Sequence, residues 1–327
     1  MFALRQAWRH SGVQLLFIVS NPPFLPLVGY LLRVFCGTPY VILVYDIYPD
    51  ILIRSGRLTN GCLIARIWRR FNKVMLERAE AVFTIGDVIA KKLTAGFDPR
   101  HTPVGRIIVV SNWVDATRIK PIPKEQNAFV ERLGLVGKLT ILYSGNFGMT
   151  HDVETIIAGA RLLRSFSDVH FLLIGGGGKW SWAKTIVETE ALENVTVLPF
   201  VPESQLPLSL AAGDVAVVTL GKGADGLSFP SKTFYSLAAG SALLAIASGS
   251  NELARLVHQH ECGLIVDSGD AQGMVEAVLR FREDPGFLET CRRRARWAAE
   301  TYYGRENTAE YAKTIRSVIP TAVGEEQ

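Results

Sequence analysis

Along this chain apolar residues come in short solid runs. Between the runs, apolar positions recur at helical spacing with charge on the opposite face. VQLLFIVS and TPYVILVYDIYPD flank FLPLVGYLLRVF. Strand, helix and strand within about 35 residues make a βαβ unit. The strand runs are apolar throughout, as both covered faces of a parallel sheet require. Asn21-Pro22-Pro23 stops the first strand, and the helix carries Arg33 and is too short to span a bilayer. The alternation continues through LIARIWRRFNKVMLERA (helix), AEAVFTIG (strand), DVIAKKLTAGF (a helix closed by Gly96) and RIIVVSN (a strand ending at Asn112).

DATRIKPIPKEQ, from Asp115 to Gln126, has two prolines and five charges and reads as a linker. The βα rhythm restarts after EQNAFVERLGL. It runs through KLTILYSGNFG, DVETIIAGARLLRSF, VHFLLIGGGG, KTIVETEAL and NVTVLPFV. Then come ESQLPLSLAAG, DVAVVTL, SKTFYSLAAG, ALLAIA, SNELARLVHQH, GLIVD and DAQGMVEAVLRFRED, before one long helical tail. The predicted class is α/β, with two doubly wound Rossmann-like domains and ligands beyond the carboxyl ends of their strands. The expected boundaries are 1–117 for the first domain, 118–303 for the second, and 304–327 for a closing helix and tail. FALRQAWRH reads as the end of a helix leading straight into a strand. The first domain is therefore expected to be incomplete at its N-terminus, through truncation or because a partner supplies the rest.

At 48% hydrophobic and 20% charged, the chain is not disordered. Its four cysteines (Cys36, Cys62, Cys262, Cys291) are scattered without a CxxC pair, which suggests neither a zinc site nor a disulfide framework and favours a reducing compartment. No signal peptide is evident. The net charge of +4 is uneven, because residues 51–110 alone carry eleven Lys or Arg against four acids. That segment reads either as a solvated helix face or as a surface for anionic lipid head groups or an acidic acceptor. No motif that reads nucleic acid accompanies it.

Three loops in the second half suit an anion. Ser144-Gly145-Asn146-Phe147-Gly148 lets backbone approach a phosphate ahead of a helix N-terminus. Four consecutive glycines, Gly175 to Gly178, precede Lys179; they imply a close approach or an exposed flexible turn. GLSFPSKTFYSLAAG places Ser231 as a helix cap, with Lys232 in the first turn. Each loop alone is also explained by a tight turn. Together, two cations and the glycine amides suit a diphosphate. No nucleophile–base grouping appears, and the six histidines are dispersed. His151-Asp152 is the most interesting pair, although Asp152 also serves as an N-cap.

YSGNFGMTHDVETIIAGARLL, FLLIGGGGK, NVTVLPFVPESQLP, DVAVVTL and PSKTFYSLAAGSALLAIA resemble the C-terminal half of family 4 (group 1) glycosyltransferases. The likeness extends through SNPPFLPLVGYLL, PYVILVYDIYPD and VVSNWVD to roughly residues 14–315, and is similar to enzymes of capsule and exopolysaccharide synthesis. It implies the GT-B fold and retaining transfer of a hexosyl or N-acetylhexosaminyl group from a nucleotide-sugar to a lipid-linked or glycan acceptor. It implies a closing helix that crosses back to the first domain. It further implies that Gly145, Asn146 and Gly148 face the donor, that Lys179 and Lys232 neutralise the departing diphosphate, that Phe200 and Val201 flank the base, and that no metal or other cofactor is needed. Asp46 is expected to contact the acceptor, or else to cap a turn. Many relatives carry two glutamates where this chain has Leu227 and Tyr235; Ser228, Ser231 or a backbone group is the expected substitute. Relatives also have a glycine-rich loop near the N-terminus that is absent here. These departures keep a second reading open, a non-catalytic glycosyltransferase-like subunit or remnant. An epimerase of the same fold would need an acid/base pair that the sequence does not offer. The expected location is cytoplasmic, peripheral on the inner face of the plasma membrane.

Overall fold

The computed structural model describes residues 13–95, 107–221, 226–249 and 251–319. The helix end read in FALRQAWRH and the helix stop at Gly96 lie outside them. The chain divides into two units. Unit 1 comprises the described residues of Met1–Ser111, Gly226–Phe229 and Glu306–Gln327, and unit 2 those of Asn112–Asp225 and Pro230–Arg305.

Unit 1 runs β1 (Leu16–Val19), α1 (Leu25–Cys36), β2 (Tyr40–Val44), α2 (Asp50–Arg54), α3 (Leu63–Glu77), β3 (Ala81–Thr84), α4 (Asp87–Thr94) and β4 (Ile107–Val109). The strands are parallel in the order β1-β2-β3-β4. All five residues of β2 are buried, which explains why Tyr40–Val44 carries no polar alternation. The Tyr40 hydroxyl donates to the Met75 carbonyl at 2.6 Å and ties α3 to β2. The short helix α2 was not expected from the pattern; five residues are too few to establish a period.

Unit 2 runs α5 (Ala128–Arg132), β5 (Leu139–Asn146), α6 (Val153–Leu162), β6 (Val169–Gly176), α7 (Trp180–Thr189), β7 (Val195–Leu198) and α8 (Leu206–Leu210). It continues with β8 (Val215–Thr219), α9 (Lys232–Ala238), β9 (Ala242–Ile246), α10 (Glu252–His260), β10 (Gly263–Val266), α11 (Ala271–Glu283) and α12 (Pro285–Tyr302). Its parallel sheet has the order β10-β9-β8-β5-β6-β7. The chain enters at β5, winds outward to β7, then returns to β8 on the other side of β5. This reversal is a topological switch point, the place where open α/β sheets bind ligands at the carboxyl ends of their strands; here Gly221 N–H, after β8, donates to the Thr150 carbonyl, after β5, at 2.7 Å. The core under the sheet joins Tyr143, Phe147, Ile156, Phe171, Met274 and Phe281, all buried.

Two segments differ from their sequence pattern. The linker read at 115–126 is anchored to the unit 2 sheet. Lys124 is paired with Asp214 at 2.5 Å and with the Thr140 hydroxyl at 3.0 Å, and Asp214 also accepts from the Thr140 N–H. The helical tail is broken. After α12, Tyr303 is held by Val114 N–H on its carbonyl and by His260 on its hydroxyl. α13 (Thr308–Val318) follows as part of unit 1, where Tyr311 packs edge-on against Phe17 and Phe83. Among the described residues, no helix is long and apolar enough to cross a membrane.

Candidate active site

At the carboxyl ends of β5 and β6 two loops interlock. β5 and β6 stay paired as far as Asn146 and Gly176. A Cβ on Gly175 would lie 1.8 Å from the Gly145 carbonyl oxygen. One on Gly177, at φ +123°, would lie 2.2 Å from Asn146 Oδ1. Gly175 and Gly177 are therefore required by the neighbouring loop, and in this structure it is the chain itself that makes the expected close approach. Phe147 N–H donates to Gly176 at 2.7 Å, and Lys179 N–H donates back to Phe147 at 3.0 Å.

The turn from β5 into α6 is fixed from below. His151 Nδ1 lies 2.6 Å from the Asn146 carbonyl and 3.1 Å from the Tyr143 hydroxyl. Gly148 N–H also points at Nδ1, at 3.4 Å, so three groups of the turn converge on this nitrogen. Burial, then the Lys232 and Lys179 charges, push the imidazole down to about 4, so it is neutral at pH 7. Asp152 caps α6 through Thr155 N–H at 2.9 Å and also accepts from the hydroxyls of Thr155 and Ser268 and from Gly269 N–H. Burial works to raise its carboxyl, but these donors outweigh it and hold the group low.

Lys232 is the unusual group. Its side chain is only partly buried by area, yet its nitrogen is sealed from solvent and has no hydrogen-bond partner among the described residues. It lies 3.8 Å from the Tyr143 ring centroid, and a Cβ on Gly145 would come within 3.3 Å of Nζ. Desolvation pulls its pKa from 10.5 down to about 7. The ring face recovers about 0.5–2 kcal/mol of attraction, well short of an ammonium's hydration.

The other expected residues separate. Lys179 Nζ donates to the His151 carbonyl at 2.7 Å and to Glu154 at 2.9 Å, so it is already paired. Phe200 stays 62% exposed beside Gly176, while Val201 is packed against the Phe129–Leu135 cluster. Ser231 does not cap: it stands at the N-cap in helical geometry, and its side chain accepts no cap hydrogen bond. Ser228 belongs to unit 1, as does buried Leu227, whose carbonyl accepts from Ile47 N–H at 2.8 Å. GLSFPSKTFYSLAAG thus straddles the two units. Tyr235 is 41% exposed on α9. Sequence reasoning missed Tyr143 and Glu154; a tyrosine two residues before Gly145 was the only signal for the first.

Asp46 is in unit 1, just beyond β2. Burial raises its carboxyl to about 6, and it has no ion-pair partner among the described residues. It lines a cavity of about 450 Å³ with Ser20, Val44, Tyr48 and residues of α3 and α4. The outer face of α3 is apolar: Leu63, Ile64, Ile67 and Phe71 are all exposed, the least of them by 46%, beside exposed Arg66 and Arg70. Among the described residues no group of three His, Cys, Asp or Glu is placed to hold a metal.

Comparison with known proteins places this geometry. Residues 125–300 match the family model of glycosyl transferases group 1. A probable glycosyltransferase, WbjE of Pseudomonas aeruginosa, is 27% identical over 264 residues, which are 80% of this chain and 64% of that protein. A putative colanic acid biosynthesis glycosyl transferase, WcaI of Escherichia coli K12, is 26% identical over 230 residues, 69% of this chain and 55% of that one. The chain thus spans less than two thirds of the length of either curated relative. Sucrose-phosphate synthase from Thermosynechococcus elongatus superposes with a TM-score of 0.77 at 17% identity, over 97% of this chain and 77% of that one. Anabaena Alr3699/HepE in complex with UDP-glucose gives 0.76 at 16%, over 97% and 81%. Both units are parallel-sheet α/β structures, in keeping with the GT-B fold. The chain belongs to the glycosyl transferases group 1 family.

Proposed function

We propose that this group 1 glycosyl transferase moves a hexosyl or N-acetylhexosaminyl group from a nucleoside diphosphate sugar to a lipid-linked or glycan acceptor, with retention of configuration, in polysaccharide biosynthesis. The observation that carries the reading is Lys232, whose sealed side-chain nitrogen has no hydrogen-bond partner among the described residues and lies beside the Gly145 backbone. A diphosphate oxygen supplies the missing partner. As the bond from the anomeric carbon to the diphosphate breaks, the electron pair leaves with the phosphate, and Lys232 neutralises the growing charge. Donor phosphate then competes with Glu154 for Lys179. Gly145, Asn146 and Gly148 line the donor, with Phe200 against the base. Asp46 contacts the acceptor and, ionised above about pH 6, can take its hydroxyl proton. UDP in the complexes of Anabaena HepE favours a uridine donor.

The test is calorimetry with UDP- and GDP-sugars, followed by transfer assays on wild type and Lys232→Ala. The reading expects binding and transfer in wild type and loss of both in the variant. Unchanged turnover in a folded Lys232→Ala protein would remove Lys232 from the mechanism.

A specific observation favours the alternative of a non-catalytic subunit. The positions where relatives carry glutamates hold a buried Leu227 and a solvent-facing Tyr235, neither a carboxylate for ribose. A folded chain that binds no donor of the panel would support it. The outer face of α3, apolar beside arginine, further supports peripheral attachment to an anionic membrane, where a lipid-linked acceptor resides.

A further inference from the structure

Ahead of α9 the chain lends a short strap to unit 1. Gly226–Phe229 is part of that unit, while Pro230, the next residue, belongs to unit 2. Gly226, at φ +64°, lies so close to α4 that a Cβ there would stand 2.8 Å from Val88 Cγ1 and 3.6 Å from Lys92 Cδ. Leu227 and Phe229 are both buried, so apolar burial seats the strap. The Leu227 carbonyl then accepts from Ile47 N–H at 2.8 Å.

Ile47 follows Asp46 directly. The turn that carries Asp46 is pinned at its backbone. Tyr45 N–H donates to the Ser20 hydroxyl at 3.1 Å, Ile47 N–H to Leu227, and Asn72 to the Tyr48 carbonyl at 2.6 Å. Ser20 and Asn72 come from the βα elements of unit 1 itself. Leu227 comes on the strap, and Lys232 stands five residues after it. The junction between them is stiff. Pro230 fixes its own φ, and its carbonyl accepts from both the N–H and the hydroxyl of buried Thr233, at 3.1 and 2.7 Å. A diphosphate held by Lys232 would fix the chain at this end. Less backbone freedom is then left to lose when Leu227 seats on Ile47, so order at one end favours order at the other.

We propose that Leu227 is a positioning residue, which through Ile47 sets the turn that aims Asp46, and that a nucleoside diphosphate on Lys232 strengthens this hold. The proposal rests on the donor reading above and extends it from the donor to Asp46. Amide hydrogen exchange of the full chain tests it, with and without saturating UDP (or GDP, if calorimetry on the same samples selects it). The nucleotide should slow exchange of Ile47 by about five-fold or more, the low end of ordinary coupling between sites. The buried strand Tyr40–Val44 is the internal reference for the fold. Gly226→Val forces a branched side chain towards Val88 at positive φ, and should speed Ile47 exchange and, because coupling is reciprocal, weaken the nucleotide. Leu227→Ser should do the same with the backbone angle untouched. A Gly-Gly-Gly-Gly insertion between Phe229 and Pro230 leaves the strap and Lys232 in place but slackens the tie. It should keep Ile47 exchange at the wild-type rate without nucleotide and abolish the slowing with it, a response that a strap serving only to pack would not give. Nucleotide binding that leaves Ile47 unchanged in wild type, or slows it equally in the insertion variant, overturns the inference and leaves the donor reading standing. Absence of binding by either nucleotide, with Tyr40–Val44 still protected, overturns both.

Discussion

Replacing Lys232 by methionine should make unit 2 more stable while removing its function. Methionine keeps the length and a favourable contact with the Tyr143 ring. It removes a charge that folding strips of water without supplying a partner. The folded pKa of about 7 lies below the unfolded 10.5, so between these values the unfolded chain binds more protons. Wild-type stability therefore rises with pH across that window, and below pH 7 the whole penalty is present. At about 1.36 kcal/mol per unit the shift sets a ceiling of about 5 kcal/mol. If about 2 kcal/mol of it is realised, the melting temperature rises by about 4–8 °C, for about 2–4 °C per kcal/mol in a unit of this size. Thermal melts of both proteins at pH 6, 8 and 10.5 check this. The variant should melt higher at pH 6, with the two converging as the pH rises. Excess UDP should stabilise wild type alone, by about 2.7 kcal/mol at a hundred times its Kd, and so raise its melting point. A variant less stable than wild type at pH 6, or two parallel pH profiles, would show that Lys232 is not stored as an uncompensated charge.

Asp46→Asn should abolish transfer while sparing UDP binding, and wild-type transfer should rise through about pH 6 as Asp46 loses its proton; a steady-state pH profile checks both. Because folding raises that pKa, stability falls as pH rises from 3.8 to about 6, so Asp46→Asn should melt higher than wild type at pH 7. Asp152→Ala removes an N-cap and leaves the donors of Thr155, Ser268 and Gly269 without their acceptor; denaturant unfolding should show a loss of about 2–4 kcal/mol. The protein should pellet with anionic vesicles at low salt, and Ile67→Ser with Phe71→Ser should abolish the part that survives high salt; salt-resistant pelleting of that variant contradicts a role for the α3 face.

The sheets were legible because buried parallel strands such as Tyr40–Val44 and Val215–Thr219 leave an unbroken apolar signature between helical spacings. Of the three loops, two were legible as neighbours at strand ends, and the structure interlocks those after β5 and β6 and sets Lys232 beside Gly145. Their partners were not. Glu154 meets Lys179 across 25 residues of sequence, and nothing local distinguishes that carboxylate from a solvated one. Lys232 reads as a first-turn cation, and only the fold seals its ammonium over Tyr143. Val201 packs against the Phe129–Leu135 cluster while its neighbour Phe200 stays exposed, a difference that two adjacent apolar residues do not announce. The α3 pattern showed arginines opposite apolar positions; that several of those apolar positions face outward became visible only once the cavity side of the helix was known.

The central claim is that the loops at the carboxyl ends of the unit 2 sheet take a nucleoside diphosphate onto Lys232. Calorimetric titration with UDP, and with GDP for a guanosine donor, at pH 8 in two buffers of different ionisation enthalpy tests it most directly. Lys232 is mostly neutral there in the empty site and charged against a diphosphate, so binding should take up close to one proton, about 0.9 from a pKa of about 7. Lys232→Met should abolish that uptake. Absence of saturable binding by either nucleotide, or binding with no proton uptake in wild type, would contradict the account.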